Sequence, residues 1–196
     1  MAKTTIPTGG LADSAVTSAK ITDATIATAD IANDAVTKDK ITGINTPAFK
    51  AVRSSAQAIG DETSTVVLFD SEIYDTDSAY ATGTGIFTVP ANKGGKYAFF
   101  VTGGYNTSAD IDVVNFWLSK NDQTAISATA GLAMGIDVHH NWTDAQNQAQ
   151  QLSGCFNLAA TDTVRVYTWH NYGGNRDLAQ GGRMTFSGFR ISSWII

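Results

Sequence analysis

The N-terminal part of the chain repeats every five residues, and this repeat restricts its fold more than any other feature. A large aliphatic residue stands at every fifth position, separated by small and polar residues. Two five-residue units form a ten-residue one, since VTSAK at 16–20 recurs as VTKDK at 36–40. A true repeat fixes the architecture of its segment. We predict that the aliphatics are contacts between copies of the chain: Ile6, Leu11, Val16, Ile21, Ile26, Ile31, Val36 and Ile41.

The five-residue spacing suits neither an isolated α-helix nor a flat strand. On a helix, five residues rotate about 140° past a full turn, so no apolar stripe forms. On a strand, an odd spacing points successive aliphatics to opposite faces. The Thr, Val and Ile content favours an extended path that turns regularly around an axis. A disordered polar tail is the alternative. We predict a segment ordered by sister chains or a larger assembly, because one chain offers the aliphatics no second surface.

Composition and charge exclude several classes of protein. The chain has 196 residues, a net charge of −5 and no cluster of Lys and Arg, so we expect no nucleic-acid partner. The single cysteine, Cys155, allows no internal disulfide and is predicted to be a small buried hydrophobe. Without a run of about 20 apolar residues we expect no membrane insertion. The polar N-terminus lacks the apolar core of a secretion signal, which predicts synthesis in a reducing cytoplasm.

The chain is predicted to have two domains, residues 1–45 and 46–196, joined at the turn-rich sequence TGINTP. In the second domain, short β-type segments alternate with Gly, Asn, Asp and Thr, and no segment has a helical period. Many short strands separated by turns predict an all-β sandwich, barrel or jelly roll. The predicted strands are 48–53, 65–69, 85–89, 95–105, 112–119, 124–131, 148–158, 163–170 and 184–191.

Stretches spread over the second domain resemble one known family. They are PAFKAVRSSAQ at 47–57, VVLFDSEIYDTDSAY at 66–80, GIFTVPANKGGKYAFFVTGGY at 85–105, GCFNLAATDTVRVYTWH at 154–170 and MTFSGFRIS at 184–192. In this order they are similar to the C1q/tumour-necrosis-factor-like domain, over about 48–192, although 106–150 matches none of its motifs. The resemblance implies a ten-stranded jelly-roll sandwich that forms a homotrimer through flat apolar strand faces.

The N-terminal repeat has a resemblance of its own. Its sequences AVTSAKI and ADIANDAV look like repeats in bacteriophage fibre and virion proteins, which often precede a trimeric head domain. Together the two resemblances imply a C1q/TNF-like head, 46–196, behind an extended stalk and virion anchor, 1–45. In a homotrimer, three copies of the repeat would leave the head side by side, so that their aliphatics meet around one axis.

The residues that bear chemistry do not form a catalytic pattern. His139 and His140, with Asp137 and Asp144, have the chemistry of metal ligands. Adjacent histidines on a strand point to opposite faces, however, so we expect no metal site here. We also expect no cofactor, and we expect that the protein is not an enzyme. Ser187 lacks the surroundings of a nucleophile elbow. Four carboxylates offer oxygens for calcium without the ordered EF-hand loop, and we predict a solvated acidic loop instead: Asp70, Glu72, Asp75 and Asp77.

Two groups of aromatic and polar residues near predicted strand ends suit sugar rings, which need apolar stacking and a few directed hydrogen bonds. The alternative for Trp142 and Trp169 is packing in the core or in a trimer interface. The candidate ligand-binding residues are His139, His140, Trp142, Trp169, His170, Tyr172 and Arg176.

These patterns predict a structural protein of a bacteriophage virion, made in the host bacterial cytoplasm. It would be a head or tail fibre or a decoration trimer, attached through its stalk to other virion proteins. The exposed head would bind host-surface glycan or a neighbouring virion protein, and three weak sites on one trimer would gain avidity. A capsid cement protein without a ligand is the first alternative, and a glycan-degrading enzyme is the second.

Overall fold

The structure is a computed structural model that describes residues 7, 9–33, 35–36, 47–106, 113–122, 133–139 and 150–193, the side chains of 133–139 and 193 excepted. The chain divides into two compact units, Met1–Ile44 and Asn45–Ile196, called here the repeat unit and the head unit. Among the described residues, no helix has the length and apolarity needed to cross a membrane.

The repeat unit turns once in every five residues. Each turn is closed by a backbone N–H that donates to the carbonyl three residues earlier, as from Ala15 to Ala12 at 3.0 Å and from Lys20 to Thr17 at 2.9 Å. Successive turns alternate in type, which gives the ten-residue period. One type forms a short 3₁₀ helix at Ser18–Lys20 and again at Thr28–Asp30. The sequence period is therefore matched by a period of local backbone turns.

The described part of the repeat unit has no core of its own. None of its residues among 7, 9–33 and 35–36 is buried. The aliphatics lie between successive turns, with 43–55% of their surface exposed. The exposed aliphatics within the described range are Leu11, Val16, Ile21, Ile26, Ile31 and Val36. Ile6 and Ile41 lie outside the described residues.

The head unit is all-β, and the structure describes thirteen strands in it. The longer strands are β1 (Ala48–Arg53), β4 (Ser71–Asp75), β7 (Gly95–Gly103), β8 (Val113–Lys120), β9 (Ala133–His139), β10 (Gln150–Leu158), β11 (Thr163–His170) and β13 (Gly181–Ser193). The shorter strands are β2 (Ala58–Ile59), β3 (Thr65–Val66), β5 (Tyr80–Ala81), β6 (Ile86–Thr88) and β12 (Arg176–Asp177).

Antiparallel pairing arranges these strands in two main sheets. The first sheet has the order β10-β7-β13-β1-β4. The second has the order β5-β6-β11-β8-β9, and β3 also pairs with β11. β2 and β12 form a separate two-stranded ribbon. Each main sheet mixes strands distant in sequence, as a jelly-roll sandwich does.

The core between the sheets is dominated by aromatic rings. Phe49 of β1 stacks on Tyr80 and Phe87, with ring centroids 5.0 and 5.1 Å apart, and meets Phe186 edge-on at 4.9 Å. In β7, Tyr97 and Phe99 both face inward, as their alternation predicts. Aromatic contacts of this kind contribute beyond the area that they bury.

Gly188 of β13 is required by the closeness of this packing. It pairs with Phe99 of β7, and a Cβ added at Gly188 would collide with the Phe99 ring. Gly103, at the end of β7, has a similar role, since its added Cβ would lie 2.8 Å from the ring of Phe116. Both glycines let a core ring approach the backbone, which a side chain would prevent.

The sequence reading of the head unit was wrong at two points. The segment read as a solvated acidic loop contains the edge strand β4, which pairs with β1 because Ile73 and Tyr74 favour extended backbone. Cys155 is exposed rather than buried, because alternation in β10 turns Leu152 and Phe156 inward. The predicted strand 124–131 lies outside the described residues, whereas β9 follows it at Ala133–His139.

Candidate binding surfaces of the head unit

The loop 171–176, called here the distal loop, lies at the end of the head unit away from Pro47. The carbonyl of Pro47 accepts a hydrogen bond from the backbone N–H of Arg190. Arg190 pairs with Tyr97 near the start of β7, so Pro47 lies at that end of the strand. The distal loop continues from β11 into β12, and Leu178 just beyond bridges to Tyr105 after the end of β7. The nine residues of β7 span about 30 Å between these ends.

His170 anchors the distal loop from inside. It is the last residue of β11, and alternation turns it inward, where its exposure is 0%. Its Nδ1 accepts the backbone N–H of Tyr172 at 3.2 Å, and its Nε2 lies 3.2 Å from the carbonyl oxygen of Ile59. Because Nδ1 is the acceptor from Tyr172, Nε2 is the nitrogen placed to donate to the carbonyl of Ile59. The two contacts occupy both ring nitrogens, so His170 positions the loop rather than offering a free group to a ligand.

Hydrogen bonds to neighbouring groups fix the surroundings of His170. The ring of Tyr105 meets His170 edge-on at 5.1 Å, and its hydroxyl lies 2.7 Å from Oγ1 of Thr168. Burial raises the pKa of Tyr105, so this hydroxyl keeps its proton. Asp61 lies outside His170, with Oδ1 3.7 Å from Nδ1 and 2.7 Å from the backbone nitrogen of Gly173.

Tyr172 and Arg176 lie against each other at the surface of the distal loop. The guanidinium carbon of Arg176 is 3.2 Å from the centroid of the Tyr172 ring. The ring also packs against the core, so it is not a free stacking surface. Nη1 of Arg176 donates to the carbonyl of Asn175 at 2.9 Å, while Nε is enclosed without a partner. The structure thus brings three of the predicted residues together: His170, Tyr172 and Arg176.

Trp169 lies apart from this group, because it faces the outside of the second sheet. It packs with Val66 around a stacked pair, Trp117 and Tyr167, whose ring centroids are 5.4 Å apart. Arg165 on the same face pairs with Asp122, with 2.7 Å between Nε and Oδ1. Trp169 is only partly exposed, so its surroundings match the packing alternative more closely than the sugar-binding one.

The other predicted group is His139, His140 and Trp142. His139 ends β9, and its backbone pairs with Val113. Its side chain, like His140 and Trp142, lies outside the described residues. The ligand-binding role of this group stays a prediction.

The outer face of the first sheet carries exposed aromatic side chains. Phe100 of β7 and Phe189 of β13 are 46% and 42% exposed, and their rings stack at 6.0 Å. Ile191 beside them is also exposed. Two shallow depressions of about 430 and 360 Å³ border Phe100, with Ser153 of β10 lining both. A monomer rarely leaves contiguous apolar surface uncovered, so this face is a candidate interface.

Phe100 and Phe189 were not among the residues selected from the sequence. The alternation that places Tyr97 and Phe99 inward also places Phe100 outward, so the signal was present. In a strand of a two-sheet sandwich, two consecutive phenylalanines place one ring in the core and the other on the outer face.

The acidic segment is organised by hydrogen bonds to the backbone. Oδ1 of Asp70 accepts the amide of Ser54 at 2.6 Å, and Oδ2 accepts that of Ser55 at 3.1 Å. Burial acts to raise the pKa of Asp70, but these donors outweigh it and lower the pKa to about 2. Asp75 accepts the amides of Asp77 and Tyr80. Within the described residues, no three metal-capable side chains converge.

Comparison with known proteins identifies the family of the head unit. A family model described as the C1q domain matches residues 48–191. The chain therefore belongs to the C1q domain family, which confirms the resemblance of the head. No curated protein sequence matches the chain significantly. The resemblance of the repeat to bacteriophage fibres is not tested by these comparisons and stays a prediction.

Solved structures share the fold of the head unit at low sequence identity. The globular domain of zebrafish complement 1qA protein is 15% identical with a TM-score of 0.52, over 76% of this chain and 99% of that one. Eiger TNF from S. frugiperda is 15% identical with a TM-score of 0.51, over 76% and 94%. Murine APRIL at pH 5.0 is 16% identical with a TM-score of 0.51, over 73% and 96%. These matches show a C1q/TNF-like jelly roll.

Proposed function

We propose that the protein is a homotrimeric, non-enzymatic structural protein of a bacteriophage virion, made in the host bacterial cytoplasm. The repeat unit is its stalk and attaches it to other virion proteins of the head or tail. The head unit displays the distal loop to host-surface glycan or to a neighbouring virion protein. The observation that carries this proposal is the pairing of a C1q-family head with a repeat whose described aliphatics remain 43–55% exposed in the single chain.

The first support is the exposed aromatic face of the first sheet. Phe100, Phe189 and Ile191 lie side by side on strands at the middle of that sheet. Covering them with two further copies of the chain would remove apolar surface from water, which is the main favourable term in association. A closed threefold arrangement covers the same face in every copy.

The second support is the repeat unit, whose described residues form no buried core of their own. Its described backbone hydrogen bonds reach only three residues back. Ser14 and Ala24 have φ of 63°, a left-handed conformation that costs about 1–2 kcal/mol for a residue with a side chain. Local turns with exposed aliphatics do not offset the entropy of ordering the chain. Contacts between copies supply the missing burial, through the aliphatics from Ile6 to Ile41.

The third support is the position of the distal loop. It lies at the end of the head unit away from Pro47, and the exposed aromatic face runs along the strands between the two ends. Trimer contact through that face leaves three distal loops free. Three weak sites on one rigid body bind a repetitive surface more tightly than one site does.

A capsid cement protein without a ligand is the rival that shares the trimer and the stalk. The covered ring of Tyr172 favours it, since that ring is not available for stacking on a sugar. A glycan-degrading enzyme on the same head is the second rival, and measurable cleavage of host polysaccharide would support it.

Light scattering of the full-length protein after size exclusion tests the assembly. A trimer has three times the chain mass of 20.7 kDa, about 62 kDa. A mass of one chain at micromolar concentration would refute the trimer. Binding of the trimer to intact host cells or to their extracted polysaccharide would support a glycan-binding protein. A capsid cement protein should bind capsids and neither of these.

A further inference from the structure

We propose that the distal loop recognises a neutral saccharide through a vicinal diol held between Arg176 and Asp61. This inference rests on the proposed glycan-binding function and names the chemistry of its ligand. It replaces the expected aromatic stacking with a paired hydrogen-bond donor and acceptor.

The donor is the guanidinium of Arg176. The structure gives one hydrogen bond for it, from Nη1 to the carbonyl of Asn175, and no carboxylate within ion-pair distance among the described residues. The contact with Tyr172 holds its plane, so little rotational entropy remains to be lost on binding. Nη2 has no described partner and is available to donate to a ligand oxygen.

The acceptor is the carboxylate of Asp61, which is 34% exposed. Its Oδ1 holds the Gly173 amide at 2.7 Å, so the carboxylate is fixed to the same loop as the arginine. Oδ2 has no hydrogen-bond partner among the described residues and retains its acceptor capacity. Arg176 pairs in the β2–β12 ribbon with Ile59, two residues before Asp61, which brings donor and acceptor to one end of the ribbon.

The neighbouring charges favour a neutral ligand. Asp61 repels the carboxylate of an acidic sugar, and the chain has a net charge of −5. Arg176 equally repels a cation. A diol satisfies both groups without a charge of its own, because one hydroxyl donates to Asp61 while its neighbour accepts from Arg176. Hydrogen bonds to charged groups are stronger than neutral ones, so two of them give a weak but directed site.

The test is ligand-observed NMR of the full-length protein with methyl hexosides and, in parallel, methyl glucuronide. We expect binding of at least one neutral hexoside, little change between low and physiological salt, and no binding of the glucuronide. Arg176→Ala and Asp61→Asn should each weaken neutral binding about tenfold, the loss of one charge-assisted hydrogen bond. The asparagine keeps an oxygen for the Gly173 amide, so the loop remains anchored.

Arg183→Ala is the matched control, since Arg183 is an exposed arginine at the start of β13. It should leave binding unchanged, and light scattering and melting of each variant check assembly and folding. Preference for the glucuronide, or hexoside binding that survives both variants, would overturn this site and leave the glycan-binding function standing. A folded trimer that binds neither these sugars nor host polysaccharide would overturn both and favour the cement protein.

Discussion

Replacing Phe100 by serine should dissociate the proposed trimer while leaving the head unit folded. Phe100 is 46% exposed in the single chain. A phenylalanine side chain has about 200 Å² of surface, so covering the exposed part is worth about 2 kcal/mol per protomer, or about 6 kcal/mol per trimer. Loss of the packed part of the ring lowers the free energy of unfolding of the head unit by a similar amount, which a domain of ordinary stability tolerates.

The measurement is light scattering over a concentration series, with a melting curve at each concentration. A loss of about 6 kcal/mol raises the concentration at which half of the trimer dissociates by about two orders of magnitude. Ile73→Ser is the control, because Ile73 is also exposed but lies on the edge strand β4, away from Phe100. An unchanged mass and midpoint for Phe100→Ser, or an equal shift for Ile73→Ser, would refute the proposed interface.

Three further substitutions test other parts of the structure. Gly188→Ala should lower the free energy of unfolding by about 1–3 kcal/mol in urea, because its Cβ collides with the Phe99 ring, whereas Gly182→Ala, with open space at its Cβ, should not. The hydrogen bonds that lower the pKa of Asp70 stabilise the fold at pH values above the ordinary pKa of 3.8. This stabilisation is lost as the pH falls toward about 2. Asp70→Asn should therefore reduce stability at neutral pH, by about 1 kcal/mol after solvent screening, and flatten the pH profile of the melting temperature between about pH 4 and 2. Ile26→Asn in the repeat unit should speed proteolysis of that unit without changing the melting of the head; equal proteolysis rates would contradict its role as a contact.

Alternation along strands was the part of the structure that the sequence predicted best. The bounds of β1 and β11 agree with the prediction at every residue, since both strands alternate clearly and have turn residues at their ends. β4 was missed because acidic residues surround its two β-formers, Ile73 and Tyr74. Its pairing with β1 decides its conformation, and pairing between distant segments is not encoded locally.

The candidate site shows the same division between local and long-range information. Continuing the alternation of Val164, Val166 and Thr168 places His170 inside, so its burial could have been predicted. The contact of Arg176 with Tyr172 could not, because the glycines between them permit many loop conformations. That contact changes the chemistry of the site, since it converts an expected aromatic surface into a cationic one.

The head unit places the proposed trimer interface and the proposed binding loop on different structural elements. Outward positions of β7 and β13 form the exposed aromatic face, while their inward positions form the core. The distal loop takes its position from β11 and from the ribbon of β2 and β12, none of which belongs to the first sheet. A trimer that covers the first sheet therefore constrains neither Asp61 nor Arg176 directly. Under the proposed function, the ligand specificity of the loop can therefore change while the proposed trimer interface is preserved.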